Sequence, residues 1–322
     1  MAKRRELDWR HAAIAASLLL APNPAIAAER AGTLVVPFEI NELDHMVVDV
    51  EINGTAQSTA VLDTAATFAL LDSKVARQSN VPEPTEGART VEILGLNGVK
   101  VYPVVQIGGV KMGELSLPAM DAAYSKDLDI PGAAPNVMPS AAFPGDVLEL
   151  NFEERQIRLY DGRPDRSNSG VSDAVNYETR GGLMFVEVRI NGQTGVGLID
   201  TGSNLTFVNS AFAKSAKMRP NDELTQLLQG ATGGSTDVRV ASARKLAIGE
   251  FNFLRAEILV ADPFLLTSLG LADQPAIVIG LDYLSQFTVQ FDRRRERVVL
   301  TLPDAKRSGV RLELKGGGSR IP

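Results

Sequence analysis

The sequence predicts an all-β protein in which one chain of 322 residues forms two similar lobes. The first observation is a set of runs that alternate apolar and polar residues with the period of a half-buried strand. The runs at 48–54 and 186–192 both end in Asn-Gly, a dipeptide typical of hairpin turns. The second observation is that this pattern occurs twice along the chain. We therefore expect two duplicated β-barrel lobes with a cleft between them.

The duplication is clearest around two short motifs. Each is an apolar strand followed by Asp, Thr and a small residue, at 61–67 (VLDTAAT) and at 198–204 (LIDTGSN). The aspartates Asp63 and Asp200 are 200 − 63 = 137 residues apart, and the later pair Asp121 and Asp262 is 262 − 121 = 141 residues apart. The spacing changes by only a few residues, which small differences in loop length explain. A repeated unit of this length indicates two lobes and not a solenoid array.

The first 28 residues are predicted to be a secretory signal peptide. Lys3, Arg4 and Arg5 precede an apolar run at 12–21, and Ala25-Ile26-Ala27 is a small-residue cleavage pattern. The apolar run is too short to span a bilayer. A buried N-terminal helix is the alternative. We expect an exported protein, periplasmic or extracellular, with no stable membrane insertion after cleavage.

The amino-acid composition excludes several kinds of functional site. The chain has no cysteine, which excludes disulfides, thiolate metal sites and a cysteine nucleophile, and which favours a bacterial envelope among exported locations. The net charge of −6 and the absence of a basic stripe argue against a nucleic-acid partner. The two histidines are His11, in the predicted signal peptide, and His45. A Ser-His-Asp triad would have to use His45, which we predict to be a solvated turn residue.

Turn-forming residues and the positions of the repeat predict the domain boundaries in the rest of the chain. We predict a first lobe at 33–160, a polar linker at 161–172, a second lobe at 173–314 and a flexible tail at 315–322. In the first lobe the predicted strands are 34–40, 46–52, 59–62, 91–94 and 99–107. One short helix is predicted at 72–79, since Pro82 and Pro84 prevent its extension.

The two Asp-Thr motifs, within their matching frames, resemble the catalytic loops of the retropepsin-like aspartic peptidases. The apolar strand that ends at Gly280 resembles the second apolar strand of that family, and the resemblance covers 34–302. Both halves lie in one chain, as in the pepsin-like enzymes. The resemblance implies a bilobal acid-protease-like fold, a peptide or protein substrate, and endopeptidase activity that needs no cofactor or metal. We expect a monomer.

The resemblance also implies a role for each motif residue. A strand-end Asp alone would most often bond to its own turn, but the duplicated frame favours a catalytic dyad of Asp63 and Asp200 that shares one proton. Thr64 and Thr201 are expected to hydrogen-bond across to the opposite loop. Gly202 would let the backbone approach the carboxylates, with Ala65 at the equivalent place in the first loop.

Two glycine-rich turns stand between the Asp loops and the later strands. They are Gly95, Leu96, Asn97 and Gly98 in the first lobe, and Thr232, Gly233 and Gly234 at the tip of a hairpin at 227–240 in the second. Each could be an ordinary surface hairpin. Their position favours a mobile flap that closes over a bound peptide.

Two departures from the family pattern lie in the first lobe. Ala65 replaces a glycine in the Asp loop, and Pro139 stands where the second lobe has Gly280. Ala65 is tolerable if its φ is negative. Pro139 removes a backbone N–H beneath Asp63. The alternative function is therefore a catalytically weak or inactive pseudoenzyme that acts as an exported peptide-binding module. A purely structural β protein would give no reason for both Asp-Thr pairs.

Overall fold

The computed structural model describes residues 32–95, 98–126, 134–166, 170–229, 235–304, 306 and 311–312. The predicted signal peptide and the predicted tail at 315–322 lie outside these ranges. Within them the fold is all-β and two-lobed, as the sequence predicts. None of the helices in these ranges has the length and apolar character needed to cross a membrane.

The described residues of the first half of the chain form thirteen strands and one α-helix. The strands are β1 Leu34–Pro37, β2 Glu39–Ile40, β3 Met46–Ile52, β4 Ala56–Asp63, β5 Ala69–Asp72, β6 Thr90–Gly95, β7 Gly98–Ile107, β8 Val110–Met112, β9 Leu115–Leu117, β10 Met120–Ser125, β11 Asn136–Pro139, β12 Val147–Asn151 and β13 Gln156–Tyr160. The helix α1 is Ser73–Gln78. The strand predicted at 34–40 is in fact two strands, because the chain leaves the pairing with β13 at Pro37 and Glu39 begins a pairing with β3.

The second half repeats this order with three helices. The strands are β14 Val171–Arg180, β15 Leu183–Ile190, β16 Gln193–Ile199, β17 Phe207–Val208, β18 Arg219–Gln229, β19 Ser235–Ile248, β20 Phe251–Val260, β21 Ala276–Ile279, β22 Thr288–Asp292, β23 Arg297–Leu302 and β24 Arg311–Leu312. The helices are α2 Ser210–Ser215, α3 Phe264–Ser268 and α4 Leu281–Leu284. Strand β14 begins at Val171, so the last two residues of the predicted linker belong to this strand.

Helices α1 and α2 occupy equivalent places and begin in the same way. The side chain of Asp72 accepts hydrogen bonds from the N–H groups of Lys74 and Val75, at 2.8 and 3.2 Å. The side chain of Asn209 accepts from the N–H of Phe212 at 2.9 Å. Such caps satisfy donors that the first helical turn leaves free, which fixes where each helix begins.

The Asp motifs follow strands in the same setting in both lobes. In the first lobe the strand order β5-β11-β4-β3 places β4 between β11 and β3, and in the second the order β17-β21-β16-β15 does the same for β16. In each case the Asp strand pairs in parallel with the later apolar strand, β11 or β21. Strand β21 is buried at every residue, which explains its continuous apolar sequence, AIVI.

The two halves join through one sheet. The strands β1-β13-β12 of the first half and β22-β23-β14 of the second are hydrogen-bonded neighbours, and β12 pairs antiparallel with β22 at the centre. In that pair of strands Glu149 lies opposite Gln290. The two residues occupy equivalent positions of the two repeats, since 290 − 149 = 141. The pseudo-twofold axis of the duplication therefore passes through this pair. An apolar core with members from both halves packs on this arrangement.

Candidate active site

Each motif aspartate lies at the end of a central strand. Asp63 is the last residue of β4, and Asp200 directly follows β16, where its N–H donates to the carbonyl of Ile279 at 3.0 Å. One carboxylate oxygen of each residue then closes a tight turn over the residues that follow. Oδ1 of Asp63 accepts from the N–H groups of Ala65 and Ala66 at 2.6 and 2.9 Å.

The second loop repeats the first. Oδ1 of Asp200 accepts from the N–H groups of Gly202 and Ser203 at 2.9 and 3.1 Å. The two carboxyl groups come from opposite lobes and line the same cleft, with the carboxyl of Asp63 lying directly beside Gly202 of the second loop. A hydrogen bond between two carboxyls requires that one of them holds a proton, because an ionised carboxylate has no donor.

The two threonines join the loops. The hydroxyl of Thr64 donates to the carbonyl of Ile199 at 2.9 Å, and it accepts from the N–H of Thr201 at 3.0 Å. The hydroxyl of Thr201 donates to the carbonyl of Leu62 at 2.7 Å and accepts from the N–H of Thr64 at 3.1 Å. Both threonines are buried. The four bonds run between the lobes, so they fix the position of one aspartate relative to the other.

The surroundings favour protonation of the pair. Burial raises the pKa of Asp63, although the N–H donors of Ala65 and Ala66 counteract it. Burial, and then the negative charge of Asp63, raises the pKa of Asp200 well above its usual range. Both shifts favour the form of the pair that keeps a proton, and the titration of the pair belongs to both carboxyls together.

Gly202 cannot carry a side chain. A Cβ on Gly202 would lie 2.5 Å from Cγ of Asp63, so the carboxyl occupies the space of the missing side chain. Ala65, at the equivalent position of the first loop, has a negative φ, and its methyl group packs against an apolar cluster of the second lobe. The two loops are therefore not symmetric, because the methyl group fits at 65 and has no room at 202.

A polar network supports the loop of the second lobe. The N–H of Gly280 donates to Oγ1 of Thr206 at 2.9 Å, and Thr206 donates to Oδ1 of Asp282 at 2.6 Å. A Cβ on Gly280 would lie 2.7 Å from the carbonyl of Leu205, which explains the glycine.

The first lobe replaces every member of this network by an apolar residue. Pro139, Ala69 and Ala141 stand at the places of Gly280, Thr206 and Asp282, at offsets of 280 − 139 = 141, 206 − 69 = 137 and 282 − 141 = 141. Proline has no N–H, so the missing hydroxyl of residue 69 leaves no donor unpaired. Pro139 keeps its parallel pairing opposite Asp63.

The dyad lies at the floor of a cleft of about 410 Å³. Apolar side chains form a wall on each side of it. Phe68, Leu70 and Val137 belong to the first lobe, and Leu183, Phe207, Leu265 and Leu269 belong to the second. Leu70 and Phe207 are repeat equivalents (207 − 70 = 137), so the two walls are related by the same duplication as the aspartates.

The first predicted flap is a hairpin of β6 and β7, with Gly95 opposite Gly98. Gly95 lines the cleft together with Asp63 and Asp200. In the second lobe β18 and β19 pair from Arg219–Ser242 to Gln229–Ser235, so this hairpin is longer than predicted. The tips lie outside the described residues, namely Leu96 and Asn97 in the first hairpin and Thr232, Gly233 and Gly234 in the second.

Several cleft residues were not predicted from the sequence. They are Glu92 on β6, Arg180 at the turn between β14 and β15, and Leu265 and Leu269 in and after α3. The available signal was an Arg-Gly-Gly turn at 180–182, but nothing in the sequence indicates that this turn faces the aspartates. Among the described residues, no group of His, Asp and Glu has the arrangement of a metal site.

The prediction that His45 is solvated was wrong. His45 follows a turn, but it is half-buried, its Nδ1 is buried without a hydrogen-bond partner, and burial lowers its pKa. The cause is tertiary, since the amide of Asn204, next to the second Asp loop, donates to the carbonyl of Leu43 at 2.9 Å. That bond holds the turn against the opposite lobe.

Comparison with known proteins agrees with this geometry. A family model described as aspartyl protease matches residues 48–137 and 186–283, so it matches once around each Asp loop. The two matched segments together cover more than half of the chain. No curated protein matches the sequence at a significant level.

Proposed function

Because the chain belongs to the aspartyl protease family, we propose that it is an aspartic endopeptidase in which Asp63 and Asp200 form the catalytic dyad. The observation that carries the proposal is that reciprocal hydrogen bonds of Thr64 and Thr201 between the lobes hold the two aspartates together at one cleft. A structural Asp at a strand end needs no partner from the opposite lobe.

In the proposed reaction the ionised carboxyl takes a proton from a water molecule, which attacks the carbonyl carbon of the peptide bond. The protonated carboxyl hydrogen-bonds to the carbonyl oxygen as negative charge develops there. Collapse of the tetrahedral intermediate transfers a proton to the leaving nitrogen and breaks the C–N bond. One proton on the dyad meets both needs, so the raised pKa of the pair suits the chemistry.

The shape of the cleft supports an extended peptide as substrate. The walls formed around Leu70 and Phe207 flank the dyad, so apolar side chains on both sides of the cleaved bond would be buried there. Gly95 on the first hairpin lies above, where a flap would cover the peptide and exclude water.

A second candidate function is the peptide-binding module without catalysis. The observation in its favour is the apolar replacement at Pro139 and Ala69, which removes polar support from beneath Asp63 only. The cleft walls would bind a peptide in either case, so the two functions differ only in turnover.

We also propose that the protein is exported and acts as a monomer. The basic residues, apolar run and Ala25-Ile26-Ala27 pattern of the N-terminal segment support export. Both Asp loops come from one chain, which supports a site that needs no second copy.

Single substitutions test the proposal. Asp63→Asn and Asp200→Asn should each reduce kcat on a cleaved peptide by at least about a thousandfold, because each removes the shared proton. Asp121→Asn is the matched control, since Asp121 is an exposed aspartate that forms an ion pair with Arg89. Wild-type turnover in either dyad variant would reject the dyad. A folded wild-type protein that binds peptides but cleaves none in a diverse library would favour the binding module.

A further inference from the structure

The cleft carries charge at its rim as well as at its floor. Among the described residues that line it, four have charged side chains, and two of these are the dyad aspartates. The others are Glu92 on β6 and Arg180 on the β14–β15 turn. Arg180 is thus the one cation on the described lining.

Arg180 pairs with Leu183 at the base of a two-residue turn. Gly181 and Gly182 both have positive φ, 58° and 84°, which is the backbone of a two-residue hairpin turn. A Cβ on Gly182 would lie 3.4 Å from Cγ2 of Thr67, so the turn contacts the loop that follows Asp63. The base of Arg180 is consequently fixed beside the first Asp loop.

The guanidinium of Arg180 is held in position but can still bind a ligand. It lies over the ring of the buried Phe185, 5.4 Å from the ring centroid, which restricts its position. Its carboxylate partner is Glu178, at 2.7 Å, and the two side chains are 48% and 65% exposed. An ion pair this exposed contributes little to stability, so a carboxylate that arrives in the cleft can replace Glu178 at small cost.

We propose that Arg180 is a specificity-determining residue that binds a carboxylate of the peptide substrate, on the side of the dyad where the first Asp loop lies. A planar guanidinium forms paired hydrogen bonds with a carboxylate, and it forms none of this kind with a neutral amide or a lysine. The carboxylate is an acidic side chain or the C-terminus of the peptide. This inference rests on the proposed function, because it assumes that the cleft binds peptides.

The test is a set of peptides built on one sequence that the wild-type protein cleaves. Each position within four residues of the cleaved bond is replaced by Glu, Gln or Lys, and every peptide is made with a free and with an amidated C-terminus. At one position kcat/KM should be about tenfold higher for Glu than for Gln, the size expected of one charge-assisted hydrogen bond near solvent. Dependence on the free C-terminus instead would identify the terminal carboxylate as the group that is bound.

Variants of Arg180 test whether this residue causes the preference for Glu over Gln. Arg180→Gln should abolish the Glu-to-Gln ratio and Arg180→Lys should retain part of it, the ratio being measured within each variant. Arg189→Gln is the matched control, because Arg189 forms the same i, i+2 ion pair with Glu187 at 2.7 Å but does not line the cleft. The control should keep the wild-type ratio.

Calorimetric binding of the same peptides to Asp200→Asn separates this inference from the proposed function. If the wild-type protein cleaves no peptide, the same set is built on a sequence that the variant binds. Tighter binding of the Glu peptide than of the Gln peptide would then mean that the endopeptidase proposal fails and the role of Arg180 stands. Equal affinity and equal kcat/KM for acidic and neutral peptides at every position, with no difference between free and amidated C-termini, would overturn the role of Arg180. So would a preference that survives in Arg180→Gln.

Discussion

Thr64 and Thr201 each donate one hydrogen bond to, and accept one from, the loop of the opposite lobe. Residues 137 apart in sequence are thereby bonded through the same atoms in both directions. The arrangement is the structural reason why a duplicated Asp-Thr motif is informative. One copy has no partner for its threonine, whereas two copies satisfy each other.

Replacement of Thr201 by valine keeps the shape of the side chain and removes both of its hydrogen bonds. The N–H of Thr64 and the carbonyl of Leu62 then lose partners in a buried setting, so unfolding free energy should fall by about 2–4 kcal/mol. Denaturant unfolding measures the change. Thr201→Ser, which keeps the hydroxyl, should lose less than half as much; an equal loss would show that the methyl group matters and the bonds do not.

The dyad predicts how stability changes with pH. The pKa of Asp200 is raised in the folded protein by burial and by the charge of Asp63, so the folded state binds more protons than the unfolded chain. The stability that this proton contributes is complete below the unfolded pKa of about 3.9 and is lost as pH rises through the folded value.

Asp200→Asn removes this titration. The unfolding free energy of the variant minus that of the wild type should therefore increase as pH rises above about 4, and it should level off once the pair has lost its proton. Denaturant unfolding of the wild type and the variant at several pH values gives the difference. A difference that is constant with pH would mean that the pair is not protonated in the folded state.

The dyad loops could be predicted from the sequence because their signal is local and occurs twice. The hairpin of β6 and β7 is also local, with Asn-Gly between apolar arms. Arg180 could not be predicted as a cleft residue, because the contact of its turn with Thr67 joins different lobes. The pair of Glu149 and Gln290 could not be predicted either. The repeat shows that the two residues are equivalent, but only the folded sheet shows that they lie opposite each other across the pseudo-twofold axis.

Because the two Asp loops are asymmetric, substitutions at Gly202 and at Ala65 should change kcat/KM by different amounts. Gly202→Ala should lower kcat/KM by at least about a hundredfold, because its Cβ would lie 2.5 Å from Cγ of Asp63 and would displace that carboxyl. Ala65→Gly should change kcat/KM by only about two- to threefold, since Ala65 already adopts a negative φ. Peptide cleavage at equal folded fraction measures both. A gain of an order of magnitude for Ala65→Gly would show that the methyl group holds the first loop open, which would favour the binding module.

The last prediction concerns Pro139, where restoring the glycine of the second lobe should be harmful. In the second lobe the N–H of Gly280 has an acceptor in Thr206, but the equivalent of Thr206 is Ala69, which has no hydroxyl. Pro139→Gly therefore creates a buried N–H without a partner and adds the backbone freedom of glycine. Unfolding free energy should fall by about 1–3 kcal/mol.

Ala69→Thr supplies the missing acceptor, so its combination with Pro139→Gly should be more stable than the sum of the single changes by about 1 kcal/mol. Denaturant unfolding of the four proteins of this cycle measures the coupling. Thr206→Ala in the second lobe is the mirror variant. It leaves the N–H of Gly280 unpaired and also removes the hydroxyl's bond to Asp282, so it should cost at least as much as Pro139→Gly alone. Additive single changes would mean that residues 69 and 139 do not interact, and that the loss of one polar group did not compensate for the loss of the other.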